Sequence, residues 1–225
     1  MKASWRLNIV LAAVVAALAL FVYLRPHTEP EYRLSTLSAA AVTHIRLEIR
    51  GQPPVVLERR EADWFMLSPY ATRADPFQVQ ALLAVLGASA RERYAASGLA
   101  RFDLSEPYAR LALDDQILSF GAVNEMSREQ YVLSGDNVYL IALRYGAALP
   151  KEPLQLASKQ LFGRDEAPIG LELPGFSVAE RSGRCELSPP QKTIGNDDCN
   201  RWLTEWRLAT ASAVVPAPVR EPPPV

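Results

Sequence analysis

Residues 64–86, WFMLSPYATRADPFQVQALLAVL, are restated by residues 184–206, RCELSPPQKTIGNDDCNRWLTEW. The tripeptide Leu67-Ser68-Pro69 returns 120 positions later, and the apolar spacing that follows it returns at the same offset without a gap. A fixed offset shared by two features predicts an internal structural repeat. The corresponding apolar positions are Leu82 with Trp202, Leu83 with Leu203 and Leu86 with Trp206.

The first copy shows how the repeated stretch begins a helix. Asp75 can cap the helix, Pro76 suits its first turn, and Gln78 can complete a capping box. Apolar residues then recur with the spacing i, i+3, i+4 and i+7, which is typical of a helix that packs one face on a sheet. We therefore expect a core helix over about residues 76–93.

Strand-like segments precede the helix in both halves. Alternating apolar residues predict three short strands between Val42 and Leu67. The segment 45–51, IRLEIRG, resembles 169–175, IGLELPG, although the second copy needs a four-residue deletion to stay in register. Each half is therefore predicted to contain a strand-strand-strand-helix unit, and the second copy is truncated.

Further strand-like runs lie only in the first half. Residues 108–143 contain four runs separated by turn residues, which predicts two antiparallel hairpins. A loop and a short helix at 154–162 are expected to follow. The predicted fold class is α+β, with mostly antiparallel sheets behind an N-terminal transmembrane helix. The predicted segments are 1–25, a cytoplasmic stub and transmembrane anchor; 26–40, a tether; 41–148, the first α+β repeat with extra hairpins; 149–213, the second, shorter repeat; and 214–225, a Pro-rich tail.

The N-terminal segment Leu7–Leu24 has one strongly polar side chain, Asn8. As a helix, this run nearly spans a hydrocarbon core of about 30 Å. Residues 7–24 therefore predict a membrane anchor with the lipid bilayer as a partner. Lys2 and Arg6 precede the run and Arg25 follows it, which favours a cytoplasmic N-terminus. A cleaved signal peptide is the alternative, but no small-x-small site follows the apolar run.

Cys185 and Cys199 are the only cysteines in the chain. In an exported domain an even pair indicates a disulfide. At the offset of 120, Cys185 corresponds to Phe65 on a predicted strand and Cys199 to Val79 on the helix, so the bridge would join strand to helix. It would contribute roughly 3 kcal/mol in the chain-entropy model. Redox catalysis and metal binding are the alternatives, but the pair lacks C-x-x-C spacing and a nearby histidine.

The composition offers little material for catalysis or nucleic-acid binding. A formal net charge of −1 without a basic stripe argues against nucleic acid as a partner. His27 and His44 are the only histidines, too few for a histidine-based triad or a zinc site. Asp114-Asp115 is interpreted as a turn, and the run 195–198 as a helix start without the spacing of a calcium loop. We expect no catalytic, metal or cofactor site and no enzymatic activity.

A set of short motifs lies in the central part of the chain. They are Trp64-x-Met66-x-x-Pro69, Ala74-Asp75 before a helix with Leu82-Leu83, Phe102-x-Leu104-x-x-Pro107, Leu118-x-Phe120-Gly121, Tyr131-Val132 and Val138-Tyr139-Leu140-Ile141. These motifs resemble those of the family known as domain of unknown function 4340, over about residues 40–145 and more faintly in the second half. The chain has Phe102-Asp103-Leu104 where that family usually has Gly-Leu.

The resemblance implies a bacterial envelope domain, often behind one membrane helix and in some members associated with transporter-like gliding-motility complexes. It brings no catalytic residues. We predict a single-pass inner-membrane protein with a cytoplasmic N-terminus and a periplasmic C-terminal domain that binds or scaffolds an envelope protein or glycan partner. The alternative is an accessory subunit of a membrane transport complex, of the ABC or gliding-motility type. The Pro-rich tail is expected to be disordered, with docking to a partner as the alternative.

Overall fold

The structure is a computed structural model that describes residues 2–24, 31–181, 184–189 and 195–216. His27, part of the predicted tether and most of the Pro-rich tail lie outside these residues. The helices are α1 (Lys2–Leu24), α2 (Pro76–Leu83), α3 (Arg144–Ala147) and α4 (Asn196–Arg207), with 3₁₀ helices at Ala84–Gly87, Leu99–Phe102 and Pro153–Leu156. The strands are β1 (Tyr32–Arg33), β2 (His44–Ile49), β3 (Val55–Arg60), β4 (Asp63–Ser68), β5 (Thr72–Arg73), β6 (Ser89–Ala90), β7 (Glu92–Ala95), β8 (Ala109–Leu113), β9 (Gln116–Asn124), β10 (Glu129–Ser134), β11 (Asn137–Ala142), β12 (Gly170–Leu173), β13 (Phe176–Arg181) and β14 (Arg184–Ser188).

Antiparallel sheets make up most of the fold, and the predicted α+β class is wrong. The main helix of the first unit is shorter than predicted, since α2 ends at Leu83 rather than near residue 93. A 3₁₀ turn follows, and the chain then enters β6 because Ser89 and Ala90 pair with β1. Backbone pairing therefore replaces the last turns of the predicted helix, and the chain is mainly β.

Asp75 caps the start of α2 as its sequence predicts, but Gln78 does not complete the predicted capping box, because the Asp75 N–H donates to Leu156 O. The Asp75 carboxylate accepts hydrogen bonds from the N–H groups of Phe77 at 2.8 Å and Gln78 at 3.3 Å. These bonds satisfy donors that would otherwise have no partner in the first turn. The buried residues of α2 are Val79, Leu82 and Leu83.

A nine-stranded antiparallel sheet forms the body of the molecule, in the order β5-β4-β3-β2-β8-β9-β10-β11-β7. The strands predicted between residues 108 and 143 form antiparallel pairs, β8 with β9 and β10 with β11. β2 joins the first unit to these added strands, because it pairs with β3 on one side and β8 on the other. α2 and the strands share one continuous core, whose fully buried side chains include Ile45, Leu57, Met66, Leu111, Leu118 and Phe120.

The segment between the two units contains no α-helix at residues 154–162, where a short one was predicted. A 3₁₀ turn at Pro153–Leu156 is followed by extended chain. Asp75 N donates to Leu156 O and Ser158 N donates to Arg73 O, both at 2.8 Å. The prediction is wrong because this backbone pairs with the chain around β5 instead of coiling on itself.

A separate three-stranded antiparallel sheet, β12-β13-β14, precedes α4. Its buried cluster is small and consists of Val178, Cys199 and Leu203. The sulfur atoms of Cys185 and Cys199 lie at disulfide distance, and the two Cα atoms are 5.9 Å apart. This contact joins β14 to α4.

The order strand-strand-strand-helix occurs twice, as β2-β3-β4-α2 and as β12-β13-β14-α4. Matching hydrogen bonds show which residues correspond. Arg59 N donates to Thr43 O at 2.8 Å, and Glu180 N donates to Ile169 O at 2.7 Å. Thr43 therefore corresponds to Ile169, so the first strands align two residues away from the match of Ile45 with Ile169 that the sequence suggests.

A β-bulge changes the correspondence of the third strand. In the first unit Val56 of β3 pairs with Ser68 and Leu57 pairs with Met66. Leu67 lies between these two partners and is therefore the extra residue of a bulge in β4. The second unit pairs β13 with β14 without such a shift. Cys185 therefore corresponds to the buried Trp64, and its predicted correspondence with Phe65 is wrong by one residue.

α1 includes residues 7–24, which were predicted to form a transmembrane helix, and that prediction needs correction. Among the described residues no helix is both long enough and apolar enough to cross a membrane. The predicted transmembrane helix is therefore wrong. The predicted bilayer contact of residues 7–24 and the inner-membrane location are separate statements and stay predictions.

Candidate binding cleft

A cleft of about 550 Å³ lies where the two units meet the segment that joins them. One wall comes from β4, β5 and the first turn of α2, and the opposite wall comes from the last turn of α4. The joining segment, residues 158–164, runs between these walls. The lining residues are Ala62, Asp63, Trp64, Arg73, Ala74, Pro76, Phe77, Ser158, Gln160, Phe162, Gly163, Arg164, Thr204, Arg207 and Leu208.

Backbone hydrogen bonds hold the end of α4 beside the joining segment. Leu161 N donates to Ala209 O at 3.3 Å, and Ala211 N donates to Lys159 O at 2.7 Å. The chain after α4 therefore runs alongside the segment as a short antiparallel pair, which contains the bridge between Gln160 and Thr210. This pairing fixes the wall that carries Arg207.

Arg73 attaches the joining segment to the first unit. Its guanidinium donates to Leu161 O at 2.7 Å and to Gln160 O at 3.3 Å, and it forms an ion pair with the Glu166 carboxylate. Gly163 N also donates to that carboxylate, at 2.7 Å. The Gly163 N–H and then Arg73 lower the pKa of Glu166. The charge of Arg73 is therefore already matched within the fold.

Two further arginines in the cleft have no such match. Among the described residues, no carboxylate lies within ion-pair distance of Arg164 or Arg207. The Arg207 guanidinium donates to Arg164 O at 3.4 Å, which places one arginine next to the other's backbone. Asp63 is the one acidic residue among the described lining residues. The cleft therefore presents a surplus of positive charge in a chain whose net charge is −1.

Aromatic rings line the same cleft as these cations. Trp64 is buried, and Phe162 in the joining segment is half-buried. Phe77, in the first turn of α2, leaves 82% of its surface exposed. A cleft that contains both an exposed phenylalanine and guanidinium groups offers apolar contact area together with charge, a combination that is enriched at protein interfaces.

The described part of the cleft lining contains hydroxyl groups on Ser158 and Thr204. Its two hydroxyl groups are engaged locally, because Thr204 Oγ1 donates to Asn200 O at 2.9 Å and Ser158 Oγ accepts from Gln160 N at 3.2 Å. Histidine and cysteine do not occur among the described lining residues. A nucleophile with an adjacent base, which covalent catalysis needs, is therefore missing from this part of the chain that the structure describes.

The arrangement nearest to a catalytic triad is a cluster at the start of β2. Thr43 Oγ1 lies 2.9 Å from His44 Nδ1 and donates to Asp114 Oδ1 at 3.0 Å. The backbone N–H groups of Thr43 and His44 donate to the same carboxylate, His44 N at 2.8 Å. The Thr43 hydroxyl and the two backbone N–H groups all donate to one carboxylate, an arrangement that closes a turn.

The pKa of Asp114 reflects this role. Desolvation raises it, but the donated hydrogen bonds from His44 and Thr43 together lower the pKa below its usual value. Asp114 lies in the β8–β9 turn, at φ 49°. The Asp114-Asp115 pair is therefore a turn, in agreement with its interpretation from sequence.

A buried polar contact ties β9, β10 and α3 together. Gln130, only 2% exposed, donates from Nε2 to Gly121 O at 2.9 Å. A Cβ at Gly146 would meet Gln130 Oε1, so a larger residue there would displace the end of the Gln130 side chain. Burial raises the pKa of the neighbouring Tyr108. This contact holds the sheet together and does not line the cleft.

The predicted site residues are distributed as follows. Cys185 and Cys199 are brought together, whereas His44 is the only histidine among the described residues. Gly195 begins α4, where its N–H donates to Asp198 Oδ2 at 3.2 Å. Over the described ranges, no group of three histidine, cysteine or acidic side chains could hold a metal ion.

The arginines of the cleft were missed by sequence reasoning. Arg73, Arg164 and Arg207 come from three separate segments, and no short motif contains two of them. Only the packing of α4 against the joining segment brings them together. The one local signal is the exposed aromatic Phe77 at a helix start, which is ordinary by itself.

The described residues form a mainly β domain in which the order strand-strand-strand-helix occurs twice. Residues 64–183 match the family model described as domain of unknown function (DUF4340). Because this match covers more than half of the chain, the protein belongs to that family. Comparison with curated proteins and with solved structures found no match.

Proposed function

We propose that this protein is a binding domain of the bacterial envelope whose cleft receives an acidic segment of a partner protein. The observation that carries the proposal is the pair Arg164 and Arg207, two cations without a matching carboxylate among the described residues, beside Trp64 and Phe162. We further propose that the partner is a component of an envelope or membrane transport assembly, in keeping with the family resemblance.

The chemistry of the cleft supports a carboxylate-bearing ligand. A guanidinium presents a planar fork of donors that matches a carboxylate, and such charged hydrogen bonds are stronger than neutral ones. The apolar rim would contact aromatic or aliphatic side chains of the same segment. An acidic peptide with interspersed apolar residues satisfies both features.

Nucleic acid is a poorer fit for the same cleft. Binding to phosphates draws its affinity from many clustered cations. Here two free arginines stand beside Asp63 in a chain of net charge −1. A short acidic peptide needs only one or two guanidinium contacts, and this is the number that the cleft offers.

The cysteine pair supports an extracytoplasmic location within this proposal. Cys185 and Cys199 lie at disulfide distance, and disulfides persist in oxidising compartments such as the periplasm. The absence of a nucleophile–base pair in the described lining supports a non-enzymatic role. Both features are consistent with a domain that recognises a partner outside the cytoplasm.

The proposal is tested with the acetylated peptide EFEFE as a probe, by fluorescence anisotropy on the full-length protein. KFKFK serves as the charge-reversed control peptide. We expect EFEFE alone to bind, and the double variant Arg164→Glu/Arg207→Glu to weaken binding by about tenfold or more, because each charged hydrogen bond contributes about 1.5–3 kcal/mol.

The matched control variant is Arg33→Glu, an exposed arginine on β1 that does not line the cleft. It should bind EFEFE like the unaltered protein. Equal binding of EFEFE and KFKFK, or equal loss in the control and the double variant, would contradict the proposal. Circular dichroism checks that the charge reversals leave the fold intact.

A further inference from the structure

The internal repeat shows which surface of the second unit lacks the cover that the first unit has. In the first unit β2 pairs with β8, from Ile45 with Leu113 to Ile49 with Ala109. The corresponding strand β12 pairs with β13 on one side only. Within the described ranges, no strand lies against the other side of β12.

The apolar side chains of β12 are correspondingly less covered. Because Thr43 corresponds to Ile169, Ile45 corresponds to Leu171 and Leu47 to Leu173. Ile45 and Leu47 are each 1% exposed, whereas Leu171 and Leu173 are only half-buried. Ile169, directly before β12, is 80% exposed. The surface that β8 covers in the first unit is thus apolar and open in the second.

Some backbone hydrogen-bonding groups of β12 face away from β13, toward the open edge of the sheet. Ile169 O accepts from Glu180 N, so Ile169, Leu171 and Leu173 direct their backbone groups toward β13. The backbone groups of Gly170 and Glu172, which alternate with them, point away from β13. In β2 the equivalent alternation directs His44 O to Asp114 N, at 3.0 Å, in the turn after β8.

The helix of the second unit, α4, is also less covered than its counterpart α2. Leu82 and Leu86 of the first unit are 2% and 5% exposed. Their counterparts Trp202 and Trp206 are half-buried, and the Trp202 ring lies 5.8 Å from that of Phe176 on β13. Apolar side chains of the second unit are thus less covered than their counterparts on the helix as well as on the strand.

We propose that the outer edge of β12 binds an extended segment of a partner protein as an added antiparallel strand. The segment carries apolar residues at alternate positions, opposite Leu171 and Leu173, as β8 does with Leu113 and Leu111. It carries a lysine or arginine opposite the exposed Glu172, because opposite charges on directly facing residues stabilise antiparallel pairs. Addition of a strand to an open sheet edge is a general mode of peptide recognition.

This site is independent of the cleft. None of its residues lines the cleft, and its ligand is apolar and basic where that of the cleft is acidic. The Pro-rich tail of the chain is a poor occupant, since proline lacks the N–H group that a strand contributes.

The test uses the acetylated peptide YARLKLD, a β8-like sequence with a lysine at the position opposite Glu172, added to the full-length protein. We expect binding by isothermal titration calorimetry. Glu172→Lys should weaken binding by about three- to tenfold, and the peptide YARLELD should restore it, because a facing charge pair is reversed and then rebuilt. Glu125→Lys, an exposed residue in another loop, should leave binding unchanged.

Amide hydrogen exchange provides the second measurement. Bound peptide should slow exchange of the Gly170 and Glu172 amides at least tenfold. Peptide binding without this protection, or no binding at all, would overturn the proposal. Concentration-dependent self-association that protects the same amides would identify a second copy as the occupant and would overturn the partner assignment.

The two sites are separated by their variants. Arg164→Glu/Arg207→Glu should weaken binding of the acidic peptide EFEFE by about tenfold or more and leave binding of YARLKLD unchanged. Loss of both in that variant would contradict independent sites.

Discussion

The two units share their order of elements but differ in what covers them. In the first unit β2 lies inside a nine-stranded sheet, and its apolar residues belong to a continuous core. In the second unit β12 is an edge strand, the buried cluster has three members, and a cysteine pair joins β14 to α4. The same local pattern therefore produces a buried structural unit in one place and a partly open surface in the other.

The difference shows that neighbouring strands, more than the repeat itself, decide how much apolar surface is buried. Apolar area removed from water stabilises a fold by about 25 cal/mol per Å². The added strands β8 to β11 supply that cover for the first unit only. The second unit has the cysteine contact instead. The edge of β12 and the half-buried rings of Trp202 and Trp206 remain accessible to a partner.

The largest expected effect comes from the core of the first unit. Phe120 is fully buried, and Phe120→Ala should lower the free energy of unfolding by about 3–5 kcal/mol through lost burial and a cavity. Urea denaturation followed by circular dichroism measures it. Val178→Ala, in the small core of the second unit, is the matched control and should leave the main transition nearly unchanged. Equal effects would mean that the two units share one cooperative core.

The next effect concerns the cysteine contact. Cys185→Ser/Cys199→Ser should cost the second unit roughly 3 kcal/mol, because a crosslink over a short loop restricts the unfolded chain. Limited proteolysis should then cleave between β12 and α4 faster, while the urea midpoint of the nine-stranded sheet stays the same. A shift of that midpoint comparable to the local effect would show that the units are not separable.

A smaller effect distinguishes the two helix starts. Asp75→Ala should destabilise the first unit by about 1 kcal/mol, because the first-turn N–H groups lose their acceptor. Gly195 offers no side-chain cap, and a Cβ there meets only Asp198 Oδ2 at 3.7 Å. Gly195→Ser should therefore stabilise α4, by a few tenths of a kcal/mol at most. Hydrogen exchange of each helix compares the two. A destabilised α4 would contradict the expected room for the side chain.

The smallest effect is a pH dependence of the turn that closes β2. The pKa of Asp114 is lowered in the folded protein, so its contribution to stability is present above the unfolded-state pKa and is lost as pH falls through the folded-state value. Asp114→Asn should flatten this acid-side loss in thermal denaturation between pH 5 and pH 2, a window that brackets the usual pKa of about 3.9. Asp115→Asn, the neighbouring turn residue, should retain it. The same dependence of melting temperature on pH in the unaltered protein, Asp114→Asn and Asp115→Asn would exclude this role of Asp114.

Some features of this comparison could be predicted from the sequence. The start of α2 followed from Asp75 and Pro76, because capping chemistry is local. The end of α2 did not, because residues 84–93 have helical spacing but pair with β1 and enter β7. The recurrence of Leu-Ser-Pro marked the repeat. Because of the bulge at Leu67, however, the residue of the first unit that corresponds to Cys185 is Trp64 and not Phe65.

The cleft could not be predicted from sequence. Its cations come from segments that only tertiary packing brings together, and a single arginine on a strand or helix end is an ordinary surface residue. The apolar N-terminal run was locally clear, yet its prediction as a transmembrane helix failed because no described helix combines the needed length and apolar character.

The most direct test of the difference between the units is amide hydrogen exchange at two corresponding positions, Arg46 in β2 and Glu172 in β12. Arg46 pairs with Ala112 of β8, whereas no strand among the described residues pairs with Glu172 on the side away from β13. The account predicts that the Arg46 amide exchanges only through global unfolding, and that the Glu172 amide exchanges orders of magnitude faster in the free protein. Equal protection at the two amides would contradict an open edge on the second unit.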